Sequence, residues 1–314
     1  MHAVFAILLP IFGLILAGYV AGRQEWLGDG ATNSLNRFVV RLALPAELFQ
    51  SMAQVTHAQI AHPAFVVCFS IAMMATYATG FVLDYRRPAS RPNRISGAAI
   101  EGLAAGYANT AFIGIPLCLG VFGPAGLPPV ILATLLTVCA LFAFSIAVVE
   151  LDLQSGKGVG RTLRNVGVAL ATNPLVFAPI AGGLVNVAGL ALGGPVLQFT
   201  SLLGAAASPC ALVTIGLFLA EAATGSVSRL AVSRVVALKL LLQPALTGAL
   251  AVFVFHLEPL WTKAAILISA LPVGTGPFML ARLYEREADV ASRATLISTI
   301  LSLVTVSLLL AWIA

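Results

Sequence analysis

Ala270-Leu271-Pro272-Val273-Gly274-Thr275-Gly276-Pro277-Phe278 decides the reading of this chain. It lies inside an apolar run over residues 260–281, long enough to cross a bilayer as one helix of about 20 residues. Two prolines and two glycines nevertheless fall within six positions, Pro272 to Pro277. Proline removes a backbone donor and clashes with the preceding turn, and glycine loosens the rest. The helix is therefore expected to unwind in its middle. A second stretch, Gly106-Tyr107-Ala108-Asn109-Thr110-Ala111-Phe112-Ile113-Gly114-Ile115-Pro116, interrupts the run over 97–122 in the same way. Unwound backbone in a membrane must be buried in protein or line a wet cavity. It leaves N–H groups at the start of each following half-helix, which suit an anion, and C=O groups at the end of each preceding one, which suit a cation.

The membrane setting follows from composition. Hydrophobic residues make up 60% of the 314 and charged residues 9%, against about 45–50% and 25% in an average soluble domain. That excludes a soluble globular enzyme, a disordered chain and a secreted disulfide scaffold. Ten apolar runs of transmembrane length are predicted, at about 3–22, 34–52, 63–83, 97–122, 127–149, 166–188, 196–220, 231–255, 260–281 and 291–313. The fold expected is an all-α polytopic membrane protein of ten transmembrane helices, with short loops and no soluble domain. The first run lacks the basic start and short core of a signal peptide, so it reads as a retained helix.

Basic residues fall in alternate loops: Arg23; Arg86, Arg87, Arg91 and Arg94; Lys157, Arg161 and Arg164; Arg229 and Arg234; Arg282, Arg286 and Arg293. The positive-inside rule puts these loops in the cytoplasm and both termini outside. Arg outnumbers Lys 14 to 3, and with the minimal loops this points to a bacterial inner membrane. The net charge of +5 does not indicate nucleic acid, since no basic cluster sits beside an aromatic platform. The four cysteines lie in apolar runs without CxxC spacing, so neither a metal site nor a redox pair is expected. His57, His62 and His256 map to the outer face as interfacial residues.

Ten helices divide into two sets of five, residues 1–152 and 153–314, and the second must enter the membrane inverted relative to the first. Proline spacing agrees: Pro10 and Pro174 are 164 apart, Pro45 and Pro209 are 164 apart, and Pro116 and Pro277 are 161 apart. Inverted repeats with interrupted helices in matching positions point to a binding site at the bilayer midplane.

Several motifs recur in a family-like order. They are Asn36-Arg37-Phe38-Val39 with Leu44-Pro45; Asn109-Thr110 with Gly114-Ile115-Pro116-Leu117; Asn173-Pro174; Ile215-Gly216-Leu217-Phe218-Leu219-Ala220; Leu238-Lys239-Leu240 with Pro244-Ala245; and Ala270-Leu271-Pro272, Gly274, Pro277-Phe278, Ala281 and Tyr284. Over nearly the whole chain they resemble the auxin efflux carrier family, which includes the plant PIN exporters and bacterial malonate-transporter-like proteins. The resemblance implies a sodium/proton-antiporter-like, bile-acid-symporter-like fold in which helices four and nine cross at their broken centres. It implies a scaffold of helices 1, 2, 6 and 7, a moving transport domain of helices 3–5 and 8–10, and a homodimer formed through the scaffold. The implied activity is carrier-mediated movement of organic anions, usually carboxylates, bound near the crossover with the helix-four Asn at Asn109. Two departures point away from auxin itself: only about 14 residues join the halves, and Val273 stands where the plant motif has Gln.

The substrate site expected is therefore Asn109, Thr110, Pro116, Pro272, Val273, Gly274, Thr275, Gly276 and Pro277. Ionisable groups at membrane depth are costly and functional by default. Lys239 and Glu101 lie at similar depth and are expected to pair, or Lys239 to hold the crossover or snorkel. Arg41 could line the substrate path, Glu47 could pair with it, and Glu150 could be proton-linked. No nucleotide-binding stretch and no HExxH or GxSxG motif occurs, so the chain reads as a secondary carrier and not an enzyme. Its partners are a small organic anion and the lipid bilayer. No resident cofactor is expected; sodium or a proton, held by the broken-helix carbonyls, is the alternative coupling ion.

Overall fold

The computed structural model describes residues 2–56, 62–87, 94–153, 171–221, 228–284 and 288–313, with residues 160, 164, 167 and 168 between them. His57, Arg91, Lys157, Arg161 and Arg286 lie outside the described residues. In chain order the helices are α1 (His2–Arg23), α2 (Ala31–Phe38), α3 (Leu44–Gln54), α4 (Pro63–Tyr85), α5 (Arg94–Gly106), α6 (Ile115–Phe122), α7 (Leu127–Thr134) and α8 (Phe142–Leu153). There follow α9 (Pro174–Val187), α10 (Gly194–Ala205), α11 (Ala207–Glu221), α12 (Arg229–Ala237), α13 (Gln243–Ala249), α14 (Pro259–Ser269), α15 (Gly276–Leu283) and α16 (Ala288–Ile313). No strand occurs among the described residues beyond a single isolated bridge.

Five helical stretches, Pro63–Tyr85, Thr110–Leu153, Gly194–Phe218, Arg229–Val254 and Asp289–Trp312, are long and apolar enough to cross a membrane. Phe12–Arg23 and Pro174–Val187 are shorter apolar helices. The chain is thus an all-helical, multi-pass membrane protein. The 44 residues of Thr110–Leu153 would measure about 66 Å as one rod, twice the hydrocarbon thickness of about 30 Å. A 3-10 turn at Gly123–Gly126, entered by Gly123 at φ 63°, divides that stretch into α6 and α7.

Three prolines shape their helices in one way. Pro45, Pro116 and Pro244 each occupy the second position of an α-helix that directly follows a π-helical turn, at Val39–Ala43, Thr110–Gly114 and Leu238–Leu242. The residue before each proline donates five residues back, as Ile115 N does to the Thr110 carbonyl. The wider turn makes room for a ring that would otherwise strike the preceding carbonyl. Pro116 therefore sits in a helix that continues through it, and the break lies earlier, at Tyr107–Asn109.

The described chain forms two compact units. Unit 1 comprises Met1–Ala6, His62–Gly167 and Ala223–Ala314; unit 2 comprises Ile7–Ala61 and Val168–Ala222. Within unit 1, α4 and α5 share an extensive interface built on Gly102-Leu103-Ala104-Ala105-Gly106. A Cβ on Gly102 would stand 2.8 Å from the Tyr77 carbonyl, and one on Gly106 3.0 Å from that of Met73. The two small residues four apart let the backbones touch, the usual device where lipid supplies no hydrophobic drive. Asp152, at the end of α8, accepts from the Ser96 N–H at 2.8 Å and the Ser96 hydroxyl at 2.6 Å, placing a carboxylate at the amide end of α5. Within unit 2, Asn186 Nδ2 donates to the Ala53 and Val55 carbonyls at 3.0 and 2.8 Å, satisfying the orphan carbonyl end of α3. Thr32 hydrogen bonds to Glu221.

Candidate functional site

The two interruptions lie in unit 1 and are bonded to each other. α5 ends at Gly106, and Tyr107-Ala108-Asn109 runs non-helically before Thr110. α14 ends at Ser269, and helix resumes at Gly276. Asn109 N donates to the Pro272 carbonyl at 2.9 Å and Gly274 N to the Tyr107 carbonyl at 3.0 Å, so Ala108 and Val273 face each other as an antiparallel bridge. Backbone groups freed by unwinding must find partners, and here each segment supplies the other's. α16 completes the set: the Ser298 hydroxyl accepts from Val273 N at 3.0 Å, and the Thr295 hydroxyl donates to the Gly274 carbonyl at 3.3 Å.

The glycines of the second break serve contact. A Cβ on Gly276 would lie 2.5 Å from Tyr107 Cζ, and one on Gly274 2.8 Å from two carbons of the same ring. The ring also meets Phe142 edge-on at 6.3 Å.

Both carbonyl ends at the breaks are capped by one helical segment. Gln243 Nε2 donates to the Gly106 carbonyl, the last of α5, at 3.1 Å. Lys239 Nζ donates to the Ser269 carbonyl, the last of α14, at 2.6 Å. Lys239 and Gln243 are both 0% exposed, so Lys239 does not snorkel. The amide ends differ: neither Asn109 before Thr110 nor Thr275 before α15 makes a side-chain cap. Asn109 Nδ2, Thr110 Oγ1 and Gln243 Oε1 are buried without a hydrogen-bond partner.

The expected site residues are thus placed as follows. Asn109, Thr110, Pro272, Val273, Gly274, Gly276 and Pro277 are buried at the paired breaks, with Thr275 half-buried among them. Pro116 is half-buried in α6, six residues beyond the restart of the helix. The Val273 side chain packs in an apolar cluster with Ala104, Val232, Val235, Val236 and Ala294.

Glu101 does not pair with Lys239. Its carboxylate meets Arg234 Nη2 at 2.5 Å and Arg87 Nη1 at 3.3 Å, and both arginines also approach Asp84, at 3.6 and 3.0 Å. Arg234 precedes Lys239 by five residues, about 7.5 Å of helix, which sets it level with Glu101 while Lys239 reaches the breaks. Arg41 and Glu47 form no ion pair among the described residues. A spacing of six is neither i,i+3 nor i,i+4; Arg41 is exposed, and Glu47 Oε2 is buried without a partner. Both residues belong to unit 2. Glu150 accepts from the Tyr284 hydroxyl at 2.7 Å. Burial, and then the Glu150 carboxylate, push the Tyr284 phenol up from its ordinary value, so it stays a donor. Gln243, Thr295, Ser298 and Tyr107 were not singled out from the sequence. The available signal was spacing: Gln243 follows Lys239 by four, and Thr295, Ser298, Thr299 and Ser302 share a face of one apolar helix.

Known proteins similar in sequence to this chain are named as transporters. A "Putative malonate transporter" of Rhizobium meliloti (strain 1021) is 27% identical over 312 residues, covering 99% of this chain and 96% of its own length. An "Uncharacterized transporter" of Methanothermobacter thermautotrophicus is 26% identical over 310 residues, covering 96% and 95%. An uncharacterized transporter of Escherichia coli (strain K12) is 24% identical over 285 residues, covering 87% and 86%. The profile described as "Membrane transport protein" matches residues 3–310, and the chain belongs to that family, the auxin efflux carriers whose motifs its broken helices carry.

Proposed function

We propose that this protein is a secondary transporter that moves small organic anions, malonate- or auxin-like carboxylates, by alternating access. One observation carries the reading: at the paired breaks the carbonyl ends are already met by Lys239 and Gln243, whereas the helix starts at Thr110 and Gly276 have no side-chain cap. No side chain caps the amide ends, and amide ends of helices attract anions. Asn109 and Thr110, whose Nδ2 and Oγ1 lack partners, supply side-chain donors beside those amides, with Thr275 at the second start. The name of the Rhizobium meliloti relative favours a dicarboxylate.

The same proposal takes the chain as ten helices in two inverted repeats whose fourth and ninth members cross at the breaks. Unit 1 is then the moving transport domain, and the Arg-rich loops are cytoplasmic. A homodimer joined through the helices of unit 2, in a bacterial inner membrane, completes it. The alternative, sodium- or proton-coupled carboxylate symport with the cation on broken-helix carbonyls, is less favoured because Lys239 Nζ already occupies the Ser269 carbonyl.

The test is uptake of labelled malonate and related dicarboxylates into proteoliposomes, with Asn109→Ala beside the parent protein. A hydrogen bond to a charged group is worth about 1.5–3 kcal/mol, so Asn109→Ala should weaken apparent affinity by roughly 10- to 150-fold. Full transport by that variant would remove Asn109 from the site. Failure of every carboxylate to be transported would remove the substrate class.

A further inference from the structure

Unit 1 carries a groove lined by none of the residues assigned above to the anion. It runs between α12, with its π-helical continuation, and α16, and has a volume of about 760 Å³. Its walls are residues 229–241 and 293–305, twelve steps on each helix, or about 18 Å. One leaflet of hydrocarbon is about 15 Å deep, half of the 30 Å core. Arg229, the first residue of α12, and Arg293 stand at one end. Beyond them, apart from the Ser233 and Thr305 hydroxyls, the walls are apolar, with Val236, Leu240, Ile297, Leu301 and Val304. Leu301 is 46% and Val304 60% exposed, and among the described residues no acidic side chain lines the groove.

We infer that this groove is a binding site for one anionic phospholipid, its phosphate held between Arg229 and Arg293 and an acyl chain laid along Val236, Ile297, Leu301 and Val304. The length matches one leaflet, and the polar end and the apolar trough have the order of a lipid's own headgroup and tail. Guanidinium groups bind phosphate in bidentate fashion, and basic pockets between transmembrane helices select anionic headgroups. A zwitterionic lipid would bring a further cation beside two arginines. A second copy docking by two-fold symmetry would bring arginines against arginines. The inference stands on the groove alone and does not depend on the transported substrate.

Native mass spectrometry of the full chain in detergent tests it, with phosphatidylglycerol and phosphatidylcholine of identical acyl chains in competition. At about five-fold per arginine near the surface, the parent protein should retain one phosphatidylglycerol with roughly thirty-fold preference. Arg229→Gln, at an exposed position, should lower the preference about five-fold, and Arg229→Gln with Arg293→Gln should abolish it. Leu301→Trp should displace both lipids by filling the trough. Inorganic phosphate at equal concentration should give no rise in unfolding temperature. Equal retention of the two lipids by the parent, persistence of the preference in the double variant, or a phosphate effect equal to the lipid's would each overturn the inference. So would a Val304→Cys disulfide between copies that forms in native membranes and excludes lipid.

Discussion

Gly276→Ala strikes the pairing of the two breaks at its tightest point. The added Cβ would stand 2.5 Å from Tyr107 Cζ and 2.8 Å from its hydroxyl oxygen, where comfortable carbon contacts are about 3.5–4.0 Å. The ring must withdraw by about 1 Å. It has little room to do so, being 5% exposed and backed by Phe142. Its own carbonyl accepts from Gly274 N, so moving Tyr107 strains the bridge itself. Overpacking of this kind costs about 1–3 kcal/mol, and the helix-forming gain of alanine over glycine offsets about 0.5–1 kcal/mol of it. A net loss of 1–2 kcal/mol should lower the unfolding temperature by on the order of 5 °C. Carboxylate uptake into proteoliposomes should fall with it. Tyr107→Leu in the same chain removes the struck atoms, so the double variant should recover at least half of the loss. Gly13→Ala, where a Cβ meets nothing within 4 Å, serves as the neutral control. Wild-type stability and uptake in Gly276→Ala would refute the reasoning.

Three further outcomes are expected. Gln243→Leu leaves the Gly106 carbonyl without its donor and should cost about 1–3 kcal/mol in thermal unfolding; no loss would mean that the cap is dispensable. Arg234→Met leaves the 1%-exposed Glu101 with Arg87 alone and should cost about 2–3 kcal/mol. Glu101→Met with Arg234→Met, which keeps the remaining charges balanced, should cost less than that single change in the same melt. Uptake should be equal in sodium and choline buffers while Lys239 holds the Ser269 carbonyl, and should drop in Lys239→Met; strict sodium dependence of the parent would oppose this placement of charge.

The second break was legible because its prolines and glycines are local signals that act on their own residues. The structure ends α14 at Ser269 and restarts at Gly276, overlapping the expected Pro272–Pro277, although Gly276 and Pro277 already belong to α15. The first break was legible only in part. Tyr107-Ala108-Asn109 contains no proline, and its extended form is held by a segment more than 160 residues away in the chain, a non-local cause that no window of sequence displays. Pro116, the local signal, is absorbed by a π-helical turn that hydrophobic periodicity cannot reveal. The partners of the buried charges escaped for another reason. Glu101 and Lys239 were both recognised, but depth was counted to about a turn, and Arg234 and Lys239 differ by little more than that. Gln243 and Ser298 are neutral, so no charge marks them at membrane depth, although each satisfies a backbone group at the breaks.

That one helical segment holds both carbonyl ends has a mechanical corollary. Lys239 and Gln243 are a single turn apart on one helical segment, so an axial slip or roll of that segment would carry both donors together. A substitution that shifts this segment therefore reaches both halves of the site, even if it touches neither.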